Sequence, residues 1–240
     1  MNRSIAIARR EFAGYFRSPI AYIVIAAFLL ASGFAFQKDF EPGQAASMRS
    51  VLEWMVWFLV VLIPVLSMGL LAQEWATGTI ETLMTAPVSD TQVVIGKFLA
   101  NLGMLVVMLI PTLIYVLLLI VFASGRPDLG PIFSGYIGIL MVGSLFISVG
   151  LFCSSTTRDQ IVAVVLSILI LALATVVPYL AAQYANLRPS LRTVVDQAVY
   201  RRYGDFAKGV VSAGNVTFFV LTTAIFLFLT VKVLESRRWK

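Results

Sequence analysis

The densest cluster of groups able to do chemistry in this chain is the segment 74–87, EWATGTIETLMTAP, wedged between its second and third apolar runs. The carboxylates of Glu74 and Glu81 can pair with basic groups or cap free amides. Ile80, Leu83 and Met84 fall at i, i+3 and i+4, one face of a helix. Thr77 or Gly78 is placed to act as N-cap, Glu81 falls in a first turn where the helix dipole favours a carboxylate, and Pro87 stops the run. The spacing predicts a short helix over 77–86. Ser89 and Gln92 then form a capping box that opens the next helix. An apolar ridge flanked by acids is recognition chemistry. On these residues alone, a capped connector lying at a membrane interface accounts for the run equally well.

Residue types disfavour catalytic chemistry, and with it a polytopic membrane enzyme. There is no histidine, so a transition-metal site has no imidazole to use, and the single cysteine, Cys153, has no partner within the chain for a disulfide. It reads as inert packing. No G-x-x-x-x-G-K-[ST] phosphate loop and no G-x-S-x-G elbow occurs. No catalytic, cofactor-binding or metal residue is predicted, and no cofactor. If the chain takes part in active transport, the ATP must be bound elsewhere.

The elements that must position the 74–87 run follow from composition. Of 240 residues, 60% are hydrophobic and 12% charged, with a mean hydropathy of +0.93. Such values belong to an integral membrane protein. Six apolar runs, 20–36, 54–71, 98–122, 131–153, 161–182 and 216–233, approach the roughly 20 residues a helical span needs. Ser18 as N-cap and Pro19 at the first helical position begin the first, which reads as a retained anchor. None of the six carries Asp, Glu, Lys or Arg near its middle, which disfavours coupling to a proton or ion gradient.

An even number of spans puts both termini on one side. Placing them in the cytoplasm collects Arg3, Arg9, Arg10, Arg17, Lys97, Arg158, Lys232, Arg237, Arg238 and Lys240 there, the larger share of the cations. Among the rest, Arg188, Arg192, Arg201, Arg202 and Lys208 lie in one long outer loop, 183–215. In that loop Val194, Ala198, Val199, Tyr203 and Phe206 recur at helical spacing, predicting short amphipathic helices on the outer face. The net charge of +6 is thus a topology and lipid-headgroup signal, with no nucleic acid implied. The segment 3–17 carries an apolar stripe, Ile5, Ala8, Phe12 and Phe16, with Arg3, Arg10 and Arg17 elsewhere, as an interfacial helix requires. Ser134, Gly135, Gly138, Gly143, Ser144, Ser148 and Gly150 give the fourth run small-residue spacings for close helix packing, within the chain before a dimer seam. Pro64, Pro111 and Pro178 are expected to kink their spans, and Tyr22, Trp54 and Trp57 fit an interfacial belt.

Glu74, Gly78-Thr79, Ile80-Glu81, Leu83 and Ala86-Pro87-Val88-Ser89 closely resemble the E-x-x-x-G-T-[IL]-E-x-L-x-x-x-P-[VI]-S run after the second span of ABC-2 type transporter permease subunits, with Trp75 at a position that is usually basic. The resemblance implies that 77–86 is a coupling helix that docks into a cleft of an ATPase. Arg9-Arg10-Glu11-Phe12 and then Arg17-Ser18-Pro19-Ile20-Ala21-Tyr22 look like the opening of the gliding-motility-associated permease branch, where it forms an amphipathic elbow on the cytoplasmic leaflet. The fold so implied is an all-α integral membrane domain over 1–240, with an elbow, six spans, a cytoplasmic coupling helix and outer-face helices before the last span. The partners implied are two copies of a cytoplasmic ATP-binding subunit, a second permease chain, identical or a sister, and an envelope accessory subunit, in the inner membrane of a prokaryote. The ATPase-coupling residues would be Glu74, Gly78, Thr79, Ile80, Glu81, Leu83, Met84 and Pro87, and the elbow residues Arg9, Arg10, Glu11, Phe12 and Arg17. The function so implied is that of a permease, most simply an exporter. A non-transporting membrane scaffold for an envelope complex is the competing reading, and binding of an ATPase by the 74–87 loop separates the two.

Overall fold

A computed structural model describes residues 3–39, 47–78, 88–122, 127–184 and 199–238, and all regular structure among them is helical. The elements are α1 (Arg3–Tyr15), α2 (Pro19–Asp39), α3 (Arg49–Ser67), α4 (Ala72–Thr77), α5 (Asp90–Leu109), α6 (Leu113–Phe122), α7 (Leu129–Thr156), α8 (Gln160–Tyr184), α9 (Val199–Ala207) and α10 (Ala213–Arg238). Six stretches are long and apolar enough to cross a membrane: α2, α3 continuing through α4, α5 with α6, α7, α8 and α10. The chain is a multi-pass membrane protein, all-α, with the six spans its apolar runs require.

Helix starts are chemically explicit. The Ser18 hydroxyl accepts from the Ile20 amide at 3.3 Å as α2 begins at Pro19. Ser89 caps α5 through the Gln92 amide while the Gln92 side chain accepts from the Ser89 amide, both at 3.3 Å, the reciprocal box the sequence predicts. Because the box sits well ahead of the third apolar run, the helix is already two turns long at Lys97. At Pro111 the missing amide ends α5, and the chain turns over 110–112 before α6 resumes. Thr112 covers the break, donating to the Leu109 carbonyl at 2.7 Å and lying 2.9 Å from the Tyr136 hydroxyl.

The core is built on α3 and α7. Of the apolar stretch of α7, 72% is buried in the molecule, against 22% for α10, so α7 is central and α10 peripheral. Small residues make this possible, and they act within the chain. A Cβ at Gly143 would collide with Leu105, and one at Gly150 with the Ser67 hydroxyl. With no hydrophobic drive between helices in lipid, such backbone proximity and the dispersion contacts it permits hold the spans together.

At the end of the bundle opposite α1, α9 is an amphipathic helix whose Val199, Tyr203, Phe206 and Ala207 are buried against α7 and its neighbours. A Cβ at Gly138 would stand 2.7 Å from that of Phe206, and the Ser134 hydroxyl donates to the Phe206 carbonyl at 2.7 Å. The loop helix is thus clamped onto the fourth span. Beyond it, Glu53 accepts from Tyr200 and Arg49, both at 3.0 Å. Burial, reinforced by that carboxylate, pushes the Tyr200 phenol up to about 12. Trp57, Tyr179 and Tyr200 pack ring to ring with centroids 5.1 to 5.4 Å apart, which leaves no space between them for a ligand.

Candidate functional site

At the α1 end of the bundle three elements distant in sequence converge on one buried cation. The first is α1, which packs along α5 at two glycines seven residues apart. Ile7 lies 2.7 Å from where a Cβ of Gly96 would stand, and the Phe12 ring 3.3 Å from that of Gly103. Any side chain at Gly96 would push the helices apart. The contact turns Ser4, Ile7, Glu11 and Tyr15 toward the bundle and leaves Ile5 and Phe16 outward. The apolar stripe expected at Ile5, Ala8, Phe12 and Phe16 is therefore divided, with Phe12 packed on protein while Ile5 and Phe16 stay exposed.

The second element is α4, positioned by Ser154 near the end of α7. Its hydroxyl accepts from the amides of Leu71 and Ala72 at 3.1 and 3.0 Å and donates to the Met68 carbonyl at 2.8 Å. One buried side chain thereby satisfies two free amides at the start of α4 and the carbonyl of Met68, the C-cap of α3. The third is Lys97 itself, on α5, with 1% of its side chain exposed. Its ammonium donates to Glu74 Oε1 at 2.8 Å and lies 3.3 Å from Glu11 Oε1, which Arg10 also contacts at 2.9 Å from the surface. A buried lysine is tolerable only with such partners.

Burial pushes the Glu11 carboxyl upward, but Lys97 and Arg10 outweigh it and hold it below its usual value. The neighbouring Tyr15 phenol is raised by burial and by the Glu11 charge, and it donates to the Leu66 carbonyl at 3.4 Å. Glu74 Oε2 is buried and meets no hydrogen-bond donor among the described residues.

Of the residues singled out from sequence, Glu74 and Glu11 are brought together on Lys97. Arg9 and Arg10 are exposed, and Arg17 lies in the turn after α1, its amide donating to the Gly14 carbonyl at 3.1 Å. Gly78 takes a role different from the expected one. It is the left-handed C-cap of α4, with φ of 73°, a conformation that costs an L residue a Cβ clash, and Thr77 is the last residue of α4, its hydroxyl donating to the Gln73 carbonyl at 2.8 Å. Neither has the extended backbone of an N-cap. Thr79, Ile80, Glu81, Leu83, Met84 and Pro87 lie outside the described residues.

Ser154, Gly96 and Gly103 are absent from the sequence reading. Lys97 sits among the topology cations there, although a capping box two turns earlier places it inside a helix. The glycine pair at a seven-residue spacing was a readable sign of a helix crossing.

The model of the family described as "ABC-2 family transporter protein" matches residues 5–235, nearly the whole chain. The protein belongs to that family. No curated protein matches the chain. As an ABC-2 transporter protein it is a membrane component rather than a catalytic domain. Permeases of this family usually work with an ATP-binding subunit and as dimers. In this ABC-2 protein the Lys97 cluster lies at the start of the segment that resembles the coupling run, and it ties α1, the second span and the third span together.

Proposed function

We propose that the chain is the permease subunit of an exporter of the gliding-motility-associated branch, driven by a separate cytoplasmic ATPase that docks on the coupling helix over 77–86. The observation that supports this reading is the buried Lys97, which joins Glu74, three residues ahead of the run, to Glu11 on the elbow. A displacement imposed on the run reaches two spans and the elbow through one ionic joint. Ile80, Leu83 and Met84 supply the docking ridge, and Glu81 a charge or cap for the motor. On this reading both termini, α1 and the joint face the cytoplasm, where the cations of α1 meet anionic headgroups. Two permease chains and two motors make the working assembly, in the inner membrane.

The test is purification from the native membrane in mild detergent through a C-terminal tag, with co-purifying proteins identified by mass spectrometry. A subunit carrying a phosphate loop is expected, and it is lost when Ile80, Leu83 and Met84 are changed to Asp. Absence of any ATPase after crosslinking refutes the reading and favours a scaffold.

A further inference from the structure

Beside the ion cluster a cavity of about 330 Å³ opens between the C-terminal half of α1, the first turn of α2, the end of α3, Gln73 of α4 and Gln160 at the start of α8. That volume is at the lower end of small-ligand sites. Its walls are of two kinds. Ile20, Ala21, Val65 and Leu66 give one side an apolar surface continuous with the spans, while Glu11, Ser18, Gln73 and Gln160 make the other side polar.

The polar wall is rich in acceptors and contains no lysine or arginine. Both ion pairs of Glu11 use Oε1, and the side-chain amides of Gln73 and Gln160 make no hydrogen bond to a described residue. Glu11 is already shared by Lys97 and Arg10 through Oε1, which leaves Oε2 to accept, and neither of those cations lines the cavity to hold an anion. A quaternary ammonium would want a cage of aromatic faces, and Tyr15 is the single aromatic residue in the lining. A primary ammonium, with three N–H donors for carboxylate, amide and hydroxyl oxygens, matches the wall.

We propose that this cavity binds the primary ammonium end of an amphipathic molecule, with the chain of that molecule laid along the α2 and α3 wall. The mouth has room to admit it, since a Cβ on Gly14 would meet nothing within 4 Å. The site is independent of whether the 74–87 run contacts an ATPase. Two sources share this chemistry: an ethanolamine lipid of the surrounding leaflet and a cationic amphiphile arriving as cargo.

The experiment uses the full chain in nanodiscs of phosphatidylcholine and phosphatidylglycerol, with a dodecylamine carrying a photoactivatable diazirine in its chain. Labelling is expected within 15–21 and 65–73, and it falls about tenfold in Gly14→Phe, which fills the mouth, and in Gln160→Leu, which removes a polar partner. Adding phosphatidylethanolamine suppresses the labelling if the lipid is the natural occupant. Suppression by unlabelled dodecylamine alone assigns the site to a cationic amphiphile. Equal labelling by the corresponding dodecanol probe, or labelling unchanged in both variants, overturns the proposal. Thermal melts of both variants accompany the assay, and Gln160→Leu alone decides it if Gly14→Phe does not fold.

Discussion

Replacing Lys97 by Met is the most informative single perturbation, because the energetics of the joint predict opposite results for the single change and for the triple one. With an effective dielectric near 20, attractions at 2.8 and 3.3 Å are each about 5–6 kcal/mol in gross terms. Desolvation of three ions offsets most of this, so the intact cluster adds little net stability over a well-packed apolar one. Removing the lysine alone is different. Glu11 and Glu74, 21% and 17% exposed, are left facing each other with no buried cation, and a broken buried pair costs about 3–5 kcal/mol. For a chain of this size that corresponds to a melting point lower by roughly 6–20 °C. Lys97→Met combined with Glu11→Gln and Glu74→Gln removes both carboxylate charges and recovers most of the loss, because neutral amides in their place leave no buried charge unpaired. Thermal unfolding of wild type, the single and the triple variant in one detergent, at one scan rate, gives all three values. A single Lys97→Met variant as stable as wild type, or a triple variant less stable than the single, refutes the joint as described.

Other consequences follow from the same geometry. Ser154→Ala leaves the Leu71 and Ala72 amides and the Met68 carbonyl without their buried partner, and is expected to cost about 1–3 kcal/mol, seen in the melt and as faster hydrogen exchange confined to 68–74. Gly138→Ala forces a methyl against Phe206 and Tyr203. The expected loss is about 1–3 kcal/mol, with increased exchange across α9 while the α1 end stays protected. Glu11, held below its usual 4.5, contributes stability that is complete above that value and lost as pH falls through the lower folded value. The advantage of wild type over Glu11→Gln should therefore persist at neutral pH and vanish in acid below 4.5. An advantage independent of pH over that range would mean that the carboxylate charge is not what Glu11 supplies.

What was legible in the sequence is what depends on neighbours along the chain. Twenty-odd apolar residues have few places to go but the bilayer, so the six spans could be counted. The box at Ser89 and Gln92, the Ser18-Pro19 start and the amphipathic period through Val199, Tyr203 and Phe206 are also local, and each appears as read. Lys97 shows the limit. A lysine near a span end has an immediate explanation in membrane topology, and its actual partners come from residues 23 and 86 positions earlier, which no local pattern brings together. Gly78 shows another, since glycine before a run of helix formers serves as the start of one helix or the end of another, and only the backbone angle distinguishes the two.

The order of residues along the chain bears on how the joint is made. Glu11 and Glu74 both precede Lys97, so on synthesis the two carboxylates exist before the ammonium that will be buried between them. Helix α1 cannot complete its packing until Gly96 and Gly103 have followed it out of the ribosome. Until then its Glu11 has only Arg10 to pair with, and its bundle-facing side stays uncovered. The third span is thus the segment that closes the N-terminal half. A charge that would oppose insertion of that span on its own arrives where its counter-charges are already waiting.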